Sequence, residues 1–132
     1  MITALFAFAL AATPDGLATD KDYKIVTTPS KLKAGAEGSL TISVIPGTGF
    51  HLSDETPFTV KLAAPEGVTL GTTQFARKDV VDPKAKDPQV QTTISAKTKG
   101  EKTLKSDLVF FLCTDKLCQR MSVKHEFTIA VD

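Results

Sequence analysis

Cys113 and Cys118, separated by Thr114-Asp115-Lys116-Leu117, are the residues of this chain best suited to chemistry. Thiols this close in sequence can form a bridge, exchange it with a partner, or ligate a soft metal ion. Two cysteines are too few for a disulfide-rich scaffold and, alone, too few for a structural zinc site. A strand entering through Phe110 and another leaving toward Phe127 make the segment a hairpin whose loop is the four residues between the cysteines. Residues closing such a loop face each other with Cα atoms about 4.5–5.5 Å apart, inside the disulfide window. Closing a loop of about six residues stabilises a fold by only about 2 kcal/mol, and a bridge placed for stability alone would tie distant strands together. A bridge at a loop mouth instead leaves its sulfurs near solvent. Lys116 and Arg120 favour a thiolate there, while Asp115 and burial oppose it. Redox exchange, a structural clip, and metal ligation or free thiols are all open on these residues alone.

Other chemistry-bearing residues are weaker. His51 and His125 are the only histidines, and with the cysteines and Met121 they could make a soft site for Cu(I). Neither lies within a few residues of the cysteines, and Met121 fits equally well as an apolar residue of the outgoing strand. His125 shares a face with Phe127 and Ile129, which suits a partly buried histidine. His51 stands near Ser53 and Asp54, but no serine has a nucleophile-elbow context. Asp54 and Glu55 read as a solvated turn, Glu66 belongs to its own turn, and the charges from Lys84 to Asp87 read as a soluble loop. Nothing calls for a cofactor.

The elements that must position the cysteines are strands. Leu40, Ile42 and Val44 alternate with Ser39, Thr41 and Ser43, and Phe58, Val60 and Leu62 with Thr59 and Lys61. Further strands are expected at residues 23–26, 90–97, 103–112 and 123–131, the last placing Val123, His125, Phe127, Ile129 and Val131 on one face. Pro46-Gly47, Pro65-Glu66-Gly67 and Lys99-Gly100 supply turns, and Asp79 to Pro88 a longer charged loop. Leu108 to Leu112 is apolar without alternation, as in a strand covered on both faces or by the core on one side and a loop on the other. No sustained helical period occurs after residue 12. Short strands punctuated by such turns predict an all-β, immunoglobulin-like sandwich in one domain over residues 23–132.

At 132 residues, 42% hydrophobic and 23% charged, the chain is long enough to bury a core without staples. A net charge of +1, with no Trp and one Tyr, excludes nucleic-acid or anionic-membrane capture as the main activity. Ile2 to Ala12 is an apolar run broken only by Thr3. As a helix it spans about 16 Å against about 30 Å of bilayer hydrocarbon, so it is not membrane-spanning. Residues 1–12 instead suit a signal peptide, with Ala9-Leu10-Ala11 as a small-x-small cleavage pattern, although Met1 precedes the run without a basic leader. A first strand or a tail is the alternative. Residues 13–22 read as a linker.

The run Phe110-Phe111-Leu112-Cys113-Thr114-Asp115-Lys116-Leu117-Cys118, with the strand through Phe127, resembles the N-terminal periplasmic domain of the thiol:disulfide interchange protein DsbD. Gly49-Phe50-His51-Leu52, Val60-Lys61-Leu62 and Pro65-Glu66-Gly67-Val68 are similar to that domain's upstream strands and turn. The resemblance extends over roughly Tyr23 to Val131, and is loose outside the hairpin. It implies an immunoglobulin-like fold, a periplasmic location, and Cys113 and Cys118 as a redox-active pair serving a thioredoxin-like partner. It also implies a cap over the pair, for which Phe75 is the candidate aromatic. Gln119, Arg120 and Met121 depart from the aromatic or apolar residues and prolines that often follow the family's second cysteine. The family's transmembrane conduit and thioredoxin-like domain have no counterpart in these residues. Two functions result: an exported monomeric thiol:disulfide exchange domain, or a non-enzymatic interaction module with a structural disulfide.

Overall fold

The alternation at Leu40, Ile42 and Val44 forms the spine of the molecule. A computed structural model describes residues 19–132 except Pro83, so the expected signal peptide and most of the linker lie outside the described residues. The described residues form β1 (Tyr23–Pro29), β2 (Glu37–Pro46), β3 (His51–Leu52), β4 (Thr59–Ala63), β5 (Val68–Leu70), β6 (Gln74–Phe75), β7 (Gln89–Ala96), β8 (Gly100–Cys113) and β9 (Cys118–Val131). A single 3-10 turn, Arg77–Asp79, interrupts them.

One antiparallel sheet has the order β1-β2-β7-β5. In the other, β8 carries β9 along one whole edge, from Gly100 to Cys113. Its opposite edge is shared: β4 pairs with Lys105 to Val109, and β3 with Leu112 and Cys113, so β3 continues the line of β4. β6 lies outside β4. In chain order, β1, β2, β4, β5, β7, β8 and β9 reproduce the ABED and CFG sheets of the immunoglobulin arrangement, with β3 and β6 as additions. The fold is the all-β, immunoglobulin-like sandwich expected from the strand pattern.

The inner faces meet through Leu40, Ile42, Val44, Val90 and Ile94 of one sheet and Val60, Leu104, Leu108, Phe110 and Leu112 of the other, all fully buried. Each such side chain contributes about 1.5–3 kcal/mol by leaving water. Leu108, Phe110 and Leu112 face this core, whereas Val109 and Phe111 on the outer face are half-buried. The non-alternating run is therefore covered fully by the core on one side and partly on the other.

Several boundaries move. β9 starts at Cys118 rather than residue 123, and β8 runs from Gly100 through Cys113. The inner face of β9 from Gln119 to Val123 is only half covered, so its residues carry no strong apolar period. β3, β5 and β6, at two or three residues each, are too short to show a period at all. The turn glycines Gly67 and Gly100 adopt φ of +86° and +113°, where a side chain would be strained. Gly47 serves differently: its N–H donates to Asp22 O at 2.7 Å, and a Cβ there would sit 2.8 Å from that oxygen.

Candidate functional site

The hairpin between β8 and β9 forms as its sequence suggests. Thr114 N–H donates to Leu117 O at 2.8 Å, and Thr114 Oγ1 accepts from the N–H groups of Lys116 and Leu117, both at 3.3 Å. Antiparallel pairs alternate between hydrogen-bonded and non-hydrogen-bonded, so the next pair, Cys113 and Cys118, is of the close, non-hydrogen-bonded kind. They are joined as a disulfide with S–S 2.06 Å. Their Cα atoms are 3.9 Å apart, nearer than the roughly 4.5 Å of an unbridged pair of this kind.

The two halves of the bridge differ sharply in exposure. Cys113 is 0% exposed, although it belongs to the outward-facing series of β8 with Val109 and Phe111. Cys118 is exposed, and it precedes the outward-facing, exposed Arg120 on β9. Leu117, beside Cys118, is one of two exposed large hydrophobic residues among the described residues, at 47%. The other, Val81, belongs to the long charged loop, which is fastened to the same end of the sandwich by Val81 N–H to Gln89 O and Val44 N–H to Pro88 O.

β3 places His51 in register with Cys113, on the edge of β8 opposite Cys118. Because Cys113 does not exchange backbone hydrogen bonds with Cys118, its N–H and C=O face β3. Leu52 points to the core opposite Leu112, leaving His51 outward and exposed. Sequence spacing separated His51 from the cysteines; strand pairing unites them. A two-residue strand gives no signal that could have revealed this.

Arg77 holds the segment that follows β3. Its Nε donates to Thr56 O at 2.9 Å and its Nη2 to Ser53 O at 2.8 Å. Its guanidinium lies 5.3 Å from the Phe58 ring centroid, within cation–π range. Burial lowers the Arg77 pKa, and the nearby Asp54 charge acts the other way. Asp79 Oδ2 accepts from Ala76 N–H at 2.8 Å and so fixes the 3-10 turn that carries Arg77. Ser53 Oγ accepts from Glu55 N–H at 3.2 Å, so this serine organises a turn in which Asp54 and Glu55 are exposed.

Phe75 requires a correction. It is buried, 6% exposed, on β6, and belongs to the hydrophobic core. It pairs with Val60, which pairs with Leu108, two strands away and five residues along β8 from Cys113. That offset is about 19 Å at ordinary strand dimensions. Phe75 is apolar because it packs the core, and it does not cap the bridge. His125 is half-buried and stacked at 6.2 Å on Phe127, and Met121 packs against the core, as their strand positions suggest. Among the described residues no group of three or more His, Cys, Asp or Glu is arranged to hold a metal ion. On the outer face, Pro57, Thr59, Asp107, Val109, Phe111 and Arg120 line a shallow groove that includes neither cysteine.

No family model and no curated protein matches this chain. Solved structures do. The GAE domain of GGA2p from Saccharomyces cerevisiae aligns over 86% of this chain and 94% of its own, with 13% identity and a TM-score of 0.49. A FixG-related protein from Vibrio parahaemolyticus aligns over 80% and 94%, with 12% identity and a TM-score of 0.37. The ASH / PapD-like domain of human CEP192 aligns over 94% and 96%, with 7% identity and a TM-score of 0.39. By its own strand order and bonding, the chain is an immunoglobulin-like β-sandwich with a hairpin disulfide. Among the described residues no helix is long and apolar enough to cross a membrane.

Proposed function

We propose that this domain is an exported thiol:disulfide exchange module, in which Cys113 and Cys118 pass electrons to or from a thioredoxin-like partner. The observation that carries this reading is the sidedness of the bridge, with Cys118 exposed and Cys113 buried. An incoming thiolate must reach a sulfur in line with the bond it breaks, so the exposed residue selects the point of attack. The partner thiolate bonds to Sγ of Cys118, the Sγ–Sγ bond breaks, and Cys113 leaves with the electron pair. The partner's second thiol then attacks its own sulfur in the mixed disulfide and releases Cys118 as a thiolate. The partner ends as a disulfide and the domain as a dithiol, two electrons having moved; the reverse sequence hands them on.

The surroundings suit such an encounter. Exposed Leu117 offers an apolar contact next to Cys118. The short loop adds little stability, so the bridge is not accounted for by its contribution to folding. The resemblance of the Phe110–Cys118 segment to the N-terminal domain of DsbD supports the same reading. A persisting bridge also fits an oxidising compartment such as the periplasm.

The test is to trap the intermediate. Cys113→Ser, activated at Cys118 with an aromatic disulfide reagent, is mixed with a thioredoxin whose second cysteine is replaced by serine. A covalent domain–thioredoxin product forming much faster than the glutathione adduct supports exchange. Equal or slower formation contradicts it, and leaves an interaction module in which the bridge is a clip.

A further inference from the structure

We propose that His51 is the proton-holding group for Cys113, protonating its thiolate when the bridge opens and accepting the proton when it closes. This rests on the exchange reading above. The argument begins with the leaving group. Attack at exposed Cys118 expels Cys113, which is 0% exposed. A thiolate released there loses most of its hydration, and burial raises the pKa of a thiol, making it a poor leaving group unless charge or a proton is supplied locally.

Register defines what can supply it. Across β8, Cys113 has Cys118 on one side and His51 on the other. Directly opposed antiparallel residues project to the same face with Cβ atoms about 4.5–5.5 Å apart, which an imidazole can span. The next outward pair toward the sheet centre is Phe111 and Arg120, whose side chains line a groove with Pro57 and Thr59. Histidine is the side chain whose charge changes between about pH 5 and 8, and it can both donate and accept.

The setting of His51 is defined by three elements. The turn after β3 brings Asp54, and the long charged loop brings Lys84 and Lys86, into one cleft with His51. The β8–β9 hairpin contributes Cys113, with exposed Asp115 and Lys116 at its tip. Asp54, Lys84 and Lys86 are the charged groups that share this cleft with His51. The Arg77 contacts to Ser53 and Thr56 steady the chain immediately after β3.

The balance for the opening step is complete. The attacking thiolate bonds to Cys118 Sγ, the Sγ–Sγ bond breaks, Cys113 takes the electron pair, and the imidazolium gives that sulfur its proton. The neutral imidazole takes a proton back from Cys113 when the bridge re-forms.

Dithiothreitol is strong enough to open both exchange-type and structural bridges, so it tests this step independently of any partner. The opening rate is measured from pH 5 to 9 for the full chain and for His51→Gln, each corrected for the reagent's thiolate concentration. The expected result is a wild-type corrected rate that falls as pH rises through the histidine range, and a flat profile for His51→Gln. At the acid end the variant is slower by about a hundred-fold, at the lower edge of general-acid effects. His51 is exposed, so the variant keeps its fold, checked by circular dichroism and an unchanged thermal midpoint. Superimposable corrected profiles overturn the inference. Failure to form the thioredoxin adduct with Cys113→Ser would instead remove the exchange reading.

Discussion

Cys113 is bonded to Cys118 with only 3.9 Å between their Cα atoms, yet Cys113 is completely buried and Cys118 is exposed. The difference arises from their strands. β8 is flanked by β9 on one edge and by β4 and β3 on the other, whereas β9 has β8 as its one strand partner at the Cys118 end, its bridge to Leu32 lying at Val131, the far end. The residue on the flanked strand is covered, and its partner on the edge strand is exposed.

This asymmetry sets alkylation kinetics. In the reduced protein, Cys118 reacts with iodoacetamide at least about ten-fold faster than Cys113, because modification of Cys113 requires local opening. Comparing Cys113→Ser with Cys118→Ser under native conditions measures both rates. Similar rates would mean that the buried thiol has a route to solvent in the reduced form.

Reduction leaves the sandwich folded. The bridge closes a short loop and contributes about 2 kcal/mol, so the urea midpoint falls by about 1 M on reduction. Urea unfolding with and without reductant, followed by far-ultraviolet circular dichroism, gives the shift. Complete unfolding on reduction would assign the bridge a structural role that its short loop does not explain.

Arg77 ties the segment after β3 through bonds to two main-chain carbonyls and its position over Phe58. Arg77→Met keeps much of the apolar stem and removes these, destabilising the domain by about 2 kcal/mol. Hydrogen exchange should accelerate locally between His51 and Phe58. An unchanged midpoint with unchanged exchange would show that the turn holds without the guanidinium.

Tyr23 gives a pH readout. Its ring lies edge-on to Phe110 at 5.2 Å, and burial, followed by the charge of Asp20, raises its pKa above that of a free phenol. The folded protein therefore holds this proton to higher pH than the unfolded chain. The associated stability is present below the ordinary phenol range, near 10, and is lost as pH rises through the folded value. With one Tyr and no Trp in the chain, phenolate absorbance follows this residue alone. A midpoint at or below that of the unfolded protein would contradict its packing against Phe110.

The fold was legible where the core imposed alternation. Leu40-Ile42-Val44 and Val60-Leu62 announced β2 and β4, and Phe127-Ile129-Val131 the end of β9, because one face of each strand is buried. The hairpin, and a separation suited to bridging its two cysteines, was legible from their spacing, whereas the bond itself, against metal ligation or free thiols, was not. β3 was not, since His51-Leu52 is too short to display a period, and with it went the pairing of His51 with Cys113. Phe75 misled for a related reason: an aromatic near a turn has the same appearance in sequence whether it covers a site or fills a core. Arg77 was invisible because its partners are main-chain carbonyls more than twenty residues away.

The central claim is that the Cys113–Cys118 bridge is an exchange bridge, and its reduction potential tests that most directly. Thiol alkylation and mass shift across a graded glutathione series would report it. The account predicts a value between about −120 and −250 mV, among exchange proteins. A value below about −300 mV would contradict it and mark the bridge as a structural clip.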